Sequence, residues 1–400
     1  MAIDDTRFES ARAAFLEGVG HFEGGRYAEA EQRLEAALAL LPGRVSTLIN
    51  LGATRLALGR PADAIAALDQ ALAAEPAHAD AWCHRGLACI ALARDAEALD
   101  SFDRALTLDA TAPAVHFHRA RVLERLGWHD AALAAYERAV ELDPRFGPAW
   151  SELGQLRRDR GHIEAAREAF RRAIDGGADI ETNRYFLAAL NGHDAPPATP
   201  PTYVRALFDH YADDFEPHLL NVLHYRAHEA VVQAAATLAR APFRCALDLG
   251  CGTGLCGPLL QPLAQRIEGV DLSPTMLAAA GRRGVYAELV QADLVAHLNT
   301  TPRRHDLVVA ADVFIYVGDL AAVFAGVRRV LEPGGAFVFS VEVDDGDGFV
   351  LQPNLRYAHA EPYLRTLAAA HGLTVLVVHD ATLREEQRVP VRGRVWCLGG

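Results

Sequence analysis

The stretch "RCALDLGCGTGLCGPLLQ", Arg244 to Gln261, decides how the second half of the chain is read. A short apolar run, RCALDLG, ends in a glycine-rich turn, and a helical pattern follows through about Leu263. The glycines can be spaced two ways. Gly250, Gly252 and Gly254 give GxGxG, whereas Gly252, Gly254 and Gly257 give the GxGxxG of dinucleotide-binding turns. Either spacing suits an adenosine-containing ligand; one implies hydride transfer, the other methyl transfer.

Beyond the loop the pattern alternates strand and helix. RIEGVDLS, YAELVQADL and HDLVVAADVFIYV read as strands two to four, and AFVFSVEV as a fifth. PTMLAAAGRR and DLAAVFAGVRRVLEPGG read as helices between them. Such alternation with short connections makes a parallel sheet covered on both faces. A helix around Glu361–His371 precedes LTVLVVHD and VRGRVWCLG, which read as a hairpin adding one antiparallel strand. In open sheets of this kind the ligand lies at the carboxyl ends of the strands, where strand order reverses.

The acids near the loop discriminate between the ligands. Asp248 stands two residues before Gly250. A carboxylate there repels a pyrophosphate, but it favours the ammonium, sulfonium and ribose diol of S-adenosylmethionine. Asp271 ends the second strand, where an acid accepts from ribose hydroxyls in either reading. Asp293 ends the third strand in QAD, placed to accept from an adenine amino group. Gly257 reads as a packing residue of the helix that follows.

The first half repeats itself every 34 residues from Ala11 to Ile180. Ala30, Ala64, Ala98, Ala132 and Ala166 form one column, and Leu34, Leu68, Phe102, Tyr136 and Phe170 a second. Ala37, Ala71, Ala105, Ala139 and Ala173 form a third; Gly18, Gly52, Gly86, Ala120 and Gly154 a fourth. Small residues let paired helices approach, the large residue fills the gap to the next pair, and Pro42, Pro76 and Pro144 close three repeats. The columns resemble tetratricopeptide repeats, five in number, with Trp82 and Trp150 where that family often carries tryptophan. That resemblance implies a groove for a protein or peptide partner, lined by Asn50, His84, His118, Arg121 and Arg125. A helix at Glu181–Leu190 is expected to cap the solenoid, and the proline-rich Asn191–Thr202 to be an extended linker.

Composition sets outer limits. The net charge of −13 is shared by both halves without a basic stripe, which disfavours a nucleic-acid partner. All 39 basic residues are arginine, so a Walker-A lysine and a Schiff-base lysine are excluded. The six cysteines form no CxxC pair, and no metal site is expected. No run approaches the ~20 apolar residues of a membrane span. The first residues, MAIDDTRFESAR, lack signal-peptide character, so a cytoplasmic location is expected.

LDLGCGTG, GVDLS, QADL and LEPGG together resemble the class I S-adenosylmethionine-dependent methyltransferases, over roughly Tyr203 to Gly400. Joined to the repeats, they resemble a group of bacterial predicted methyltransferases that share the stretch FVLQPNLRYAHAEPYLRTLA, Phe349–Ala368. The implied fold is α + α/β: a helical solenoid over residues 1–190, a linker over 191–202, and a Rossmann-like seven-stranded domain over 203–400 with a helical lid at 203–240. The implied cofactor is S-adenosylmethionine. The resemblance puts Asp248, Gly250, Cys251, Gly252 and Gly254 around its methionine moiety, with Asp271 and Leu272 at the ribose. It puts Met276, Asp293 and Leu294 at the adenine and turns Asp312, ending the fourth strand, toward the reaction. FDHYADDFE resembles the lid of this class and places Tyr211 and Phe215 near the cofactor.

The acceptor side is expected in RYAH, with His359 as base, Tyr357 as hydrogen-bond donor and Arg356 as anion clamp. Tyr316, Glu342 and His210 are weaker candidates. The fourth strand reads ADVFIY, not the NPPY of amino-group methyltransferases that act on DNA or glutamine. Three functions follow: a methyltransferase whose repeats recruit a protein, peptide or carrier-bound acceptor; a small-molecule methyltransferase whose repeats serve assembly; or a scaffold with a degenerate cofactor domain.

Overall fold

The computed structural model describes residues 5–211, 215–238, 242–386 and 388–400; the side chains of residues 210, 211, 215 and 218 lie outside that description. The chain divides into two compact units, Met1–Asn183 and Arg184–Gly400.

The first unit is five antiparallel helix pairs: α1 (Asp5–Glu23) with α2 (Tyr27–Leu40), α3 (Val45–Ala57) with α4 (Pro61–Ala74), α5 (Ala79–Ala91) with α6 (Asp95–Leu108), α7 (Pro113–Arg125) with α8 (His129–Leu142), and α9 (Gly147–Asp159) with α10 (Ile163–Asp175). The columns explain the pairing. A Cβ built on Gly52, Gly86 or Gly154 would stand 2.6 Å from the side chain of Leu68, Phe102 or Phe170, and one on Gly18 2.8 Å from Leu34. Each first helix therefore lies directly against the large residue of its own second helix. In the fourth pair Ala120 takes the glycine's place, and the Tyr136 hydroxyl donates to Glu124 at 2.9 Å. The alanines Ala30, Ala64, Ala98, Ala132 and Ala166 are all fully buried.

The polar residues expected in the groove are partly committed to the solenoid itself. Arg125 pairs with Asp95 at 2.6 Å, and Asn50 donates to the Ser46 carbonyl at 2.8 Å. His118 stacks on Phe102 with centroids 6.0 Å apart, and burial pushes its pKa down to about 4. Arg121 stays exposed, its guanidinium 5.8 Å from the centre of the Phe117 ring.

The unit boundary falls inside α11 (Ile180–Asn191), which was expected to be wholly a solenoid cap. Its Tyr185 and Phe186 are buried in the second unit, where the Tyr185 hydroxyl donates to the Leu355 carbonyl. The proline-rich stretch is likewise docked rather than extended as a linker. The Pro197 carbonyl accepts from the N–H groups of Gly318 and Asp319 at 2.9 and 2.8 Å, and the Thr199 N–H donates to Tyr316 at 2.9 Å. Proline lacks an N–H but keeps its carbonyl, so the segment serves as an acceptor edge.

Helices α12 (Pro201–Tyr211), α13 (Phe215–Asn221) and α14 (Ala227–Thr237) lead into the sheet. The strands are β1 (Ala246–Leu249), β2 (Ile267–Asp271), β3 (Glu288–Gln291), β4 (His305–Ala310), β5 (Leu331–Asp344), β6 (Phe349–Leu351), β7 (Tyr357–Ala360), β8 (Thr374–Glu386) and β9 (Val389–Gly399). Helices α15 (Cys256–Leu260), α16 (Pro274–Arg282), α17 (Leu294–Thr300), α18 (Ala321–Val330) and α19 (Glu361–Ala370) connect them. The path is β3-β2-β1-β4-β5-β7-β6, with β9 antiparallel on β5 and β8 on β9. Nine strands replace the expected seven because the Phe349–Ala360 region pairs as two short strands at the end of β5.

Alternate residues serve opposite faces of this sheet. Leu247, Leu249, Val308 and Phe337 enter one core; Ala246, Leu307, Val309 and Val338 enter the other. Strand order reverses between β1 and β4, so the glycine loop after β1 stands at the switch point.

Gly86→Val should destabilise the first unit by roughly 1–3 kcal/mol, because two more methyl groups have no room against Phe102. Thermal melting checks this, and an unchanged melting temperature would refute the close-approach reading of the glycine column.

Candidate active site

The loop Gly250–Gly254 turns through three left-handed residues, with φ of +63° at Gly250, +53° at Gly252 and +82° at Gly254. L side chains rarely adopt that region, so glycine is required at each position. Two of the three are also crowded: a Cβ on Gly250 would meet Val313 at 2.7 Å, and one on Gly254 would meet Tyr286 at 2.8 Å. At Gly252 the same Cβ would meet nothing within 4 Å. The loop thus leaves open space there. Thr253 beside it is 3% exposed, and its hydroxyl has no hydrogen-bond partner among the described residues. Gly257 lies under Tyr286 and Val285, where a Cβ would stand 2.7 Å from each, so it serves packing.

Asp271 ends β2 and holds the loop. One carboxylate oxygen accepts from the Gly252 N–H at 2.9 Å, and the other from the Ser273 N–H at 2.9 Å. Burial raises its pKa, with these amide bonds opposing. Leu272 follows half-buried, Met276 is buried, and Cys251 is buried within the loop. Asp293 caps α17, accepting from the Ala296 N–H at 2.9 Å, with Leu294 half-buried beside it.

Asp248 lies beneath the loop rather than facing its open side. It is 1% exposed and accepts from the Tyr286 hydroxyl at 2.6 Å. Burial pushes its pKa up to about 7 against that hydrogen bond, and the Asp271 charge adds to the rise. The carboxylate expected beside a ligand ammonium thus has a protein partner, Tyr286, which no motif advertised.

Residues of α12 and α13 tie down both neighbours of the loop. Asp209 on α12 accepts from Ser273 at 2.7 Å and Thr275 at 3.2 Å, while Ser273 caps α16 by accepting from the Met276 N–H at 3.2 Å. Arg283 donates to the Thr253 carbonyl at 2.6 Å and pairs with Glu216 on α13. The side chains of Tyr211, Phe215 and His210 lie outside the described residues.

RYAH has a different role from the one expected. His359 is 1% exposed, and its Nε2 lies 2.9 Å from the Val317 carbonyl and 3.0 Å from that of Gly318. Burial pushes its pKa down to about 4, with both carbonyls opposing, so the ring is a neutral strut rather than a base. Tyr357 donates to the Pro196 carbonyl at 2.7 Å. Arg356 pairs with Glu386 and approaches Glu342 at 3.9 Å, so it is no open anion clamp. The reason is that Tyr357 and His359 lie on β7, which pairs along β5 instead of overhanging it, and Arg356 immediately precedes it.

The charged centre at the strand ends is Arg384, on β8 and 1% exposed. Its Nη1 reaches both Asp312 oxygens at 3.1 Å, its Nη2 pairs with Glu342, and its Nε donates to Glu386 at 3.0 Å. Asp312 itself has a left-handed φ of +58°, and its N–H donates to Ser340 at 2.9 Å. Non-glycine residues held so are costly and cluster at functional sites. Beside this network lies a cavity of about 570 Å³ whose lining includes Glu342, Glu386, Gln352 and Asn354. At the opposite strand ends Cys245, Glu268 and His305 gather within 4.8 Å. There Arg266 and Arg303 already pair with Glu268, at 2.6 and 2.9 Å, and their charges oppose a metal cation.

Comparison with known proteins agrees with this geometry. A family model described as a methyltransferase domain matches residues 247–339, and tetratricopeptide-repeat models match residues 49–113, 113–156 and 147–175. The chain thus joins a region that matches tetratricopeptide-repeat models to a region that matches a methyltransferase-domain model. Among curated relatives, the biotin biosynthesis bifunctional protein BioHC of Saccharophagus degradans is 34% identical over 96 residues, 23% of this chain and 17% of that protein. Nodulation protein S of Sinorhizobium fredii is 27% identical over 163 residues, 39% of this chain and 67% of that protein. The chain thus spans less than two thirds of the first relative's length. The solved magnesium protoporphyrin IX methyltransferase ChlM of Synechocystis, with bound SAH, aligns at 17% identity and a TM-score of 0.41, over 50% of this chain and 98% of that one. Among the described residues, no helix of the methyltransferase domain or the repeats is long and apolar enough to cross a membrane.

His359 stays neutral when folded, so its stabilising contribution is present above its ordinary pKa of 6.5 and is lost as pH falls toward about 4. His359→Gln removes that titration. The stability advantage of the wild type over the variant should therefore shrink by roughly 3 kcal/mol between those pH values. Denaturant unfolding at stepped pH reads the difference, and a constant gap would contradict the buried neutral ring.

Proposed function

We propose that this chain transfers a methyl group from S-adenosylmethionine to an acceptor recruited by the repeats: a protein, a peptide or a carrier-bound molecule. The observation that carries the reading is the glycine cradle. Its open face at Gly252, the unpartnered Thr253 hydroxyl and the amide-fixed Asp271 suit a ligand with a diol and an ammonium better than a pyrophosphate. When bound, S-adenosylmethionine supplies a methyl carbon already activated by its sulfonium.

The residues then divide the work. Gly250, Gly252 and Gly254 let the backbone approach the methionine moiety, with Cys251 in the same turn. Asp271 and Leu272 hold the ribose, while Met276, Asp293 and Leu294 border the adenine. Asp248, held by the Tyr286 hydroxyl, supports the start of the loop from β1. Asp312 marks the acceptor side, fixed by Arg384 so that it cannot swing into the cofactor's place. Asp209 and Glu216 anchor the lid helices that exclude water, and alignment with dehydration is what a displacement on an activated carbon needs.

A second reading, a small-molecule acceptor with the repeats serving assembly, draws on the cavity. At about 570 Å³ it has the volume of a small-ligand site.

Calorimetry with S-adenosylmethionine should show binding to the wild type, and Asp271→Ala should weaken it by about ten-fold or more. Heat from NADH instead would overturn the cofactor reading. Recruitment has its own test: Arg121→Glu should lower methyl transfer to protein acceptors in a cell extract while leaving cofactor affinity unchanged. Transfer that is confined to low-mass species, or indifferent to the substitution, would favour the second reading.

A further inference from the structure

The cavity beside Arg384 has a chemistry of its own. Glu342 is 4% and Glu386 34% exposed at the side chain, and both line it. Every bond made by these two carboxylates goes through Oε1. Arg384 holds Oε1 of both, and Arg356 adds a contact to each. Neither Oε2 has a partner among the described residues. Two carboxylate oxygens therefore stand at the cavity as acceptors that no described protein group engages, open to N–H donors of a ligand.

Charge points the same way. Asp312, Glu342 and Glu386 pair with two buried or half-buried guanidinium groups, those of Arg384 and Arg356, so the acids outnumber the cations that contact them. Tyr316 and Tyr225, whose hydroxyls feel the Asp312 charge, are both pushed up chiefly by burial and stay neutral. Arg392 also lines the cavity but is exposed. Val343, Val389 and Val391 supply apolar lining, so the site takes a charged head on an apolar body.

The cavity is linked to the glycine loop by a chain of contacts that begins at its lining residue Glu342. A Cβ on Gly250 would touch Val313, Asp312 precedes Val313, and Arg384 joins Asp312 to Glu342. Resting on the methyl-transfer reading, we propose that the acceptor is an aliphatic amine, bound as an ammonium between Glu342 and Glu386, with Glu342 accepting its proton. Once deprotonated, the nitrogen lone pair forms the new N–CH3 bond as the methyl–sulfur bond breaks, and the bonding electrons remain on sulfur. Burial pushes the Glu342 carboxyl up to about 7, opposed by Arg384, which suits a group that must hold a proton near neutrality. A carboxylate acceptor would meet two like charges there, and an alcohol would supply one donor where an ammonium supplies three.

The test uses n-butylamine, n-butanol and butyrate as probes of the intact protein at pH 7, read as shifts in melting temperature across a concentration series. Calorimetry with S-adenosylhomocysteine is run first, so that failure of the cofactor reading is seen separately. Butylamine should bind about ten-fold or more tightly than the other two, and Glu342→Gln or Glu386→Gln should each erase that preference. The second variant guards against misfolding, because Glu386 is the more exposed of the pair. Equal binding of all three probes, tighter binding of butyrate, or no binding at all overturns the proposal. Labelled methyl donor then identifies the source of the amine. Base-stable label retained on a cation exchanger marks a free amine in the low-mass fraction, and a lysine side chain or amino terminus in the protein fraction. Label released by base as methanol marks an ester and also overturns it.

Discussion

The Asp271 carboxylate accepts one backbone N–H from the glycine loop and another from the turn that starts α16, and the candidate site depends on this double bond. Three left-handed glycines within five residues would otherwise cost backbone entropy with nothing to hold their geometry. Fixing Ser273 has a further effect: its hydroxyl both caps α16 and donates to Asp209 on α12. One buried acid thereby coordinates the loop, a helix terminus and α12. Its carbonyl-strand neighbour Asp248 works from below through Tyr286, whose ring also fills the space that glycines at positions 254 and 257 leave vacant.

The C-terminal hairpin does more than extend the sheet. By carrying Arg384 back to the ends of β4 and β5, it places a guanidinium among three carboxylates where water is excluded. Removing one partner from such a cluster typically costs several kcal/mol, whereas apolar replacements of the whole cluster are often neutral. A fold needing stability alone has little use for this arrangement. Its residues border a cavity and surround Asp312, whose backbone is itself held in a costly conformation.

Legibility in the sequence followed the range of the interactions. The repeat columns were readable because each glycine meets a residue sixteen positions later in its own repeat, and the same contact recurs along the chain. The loop was readable because left-handed turns demand glycine locally. RYAH misled for the opposite reason. Tyr, His and Arg are chemically versatile, and only the pairing of β7 along β5 shows that His359 and Tyr357 brace carbonyl groups instead of facing a ligand. The proline-rich stretch misled likewise, since the same composition serves an extended linker or an acceptor edge docked on Gly318 and Asp319. Arg384 left no local signal, being one arginine among 39.

By itself, then, the sequence determined the two architectures, the position of the cradle and the acids that end β2 and β3. Periodicity, glycine geometry and strand alternation are short-range constraints written within a few residues or one repeat. Tertiary structure decided which charged groups meet: Asp248 with Tyr286, Asp209 with Ser273, and Arg384 with Asp312, Glu342 and Glu386. Apart from Arg384 with Glu386, those encounters join residues dozens of positions apart, and desolvation acts only after folding has removed the water between them. The chemistry of the acceptor side therefore exists in the folded sheet and nowhere along the chain.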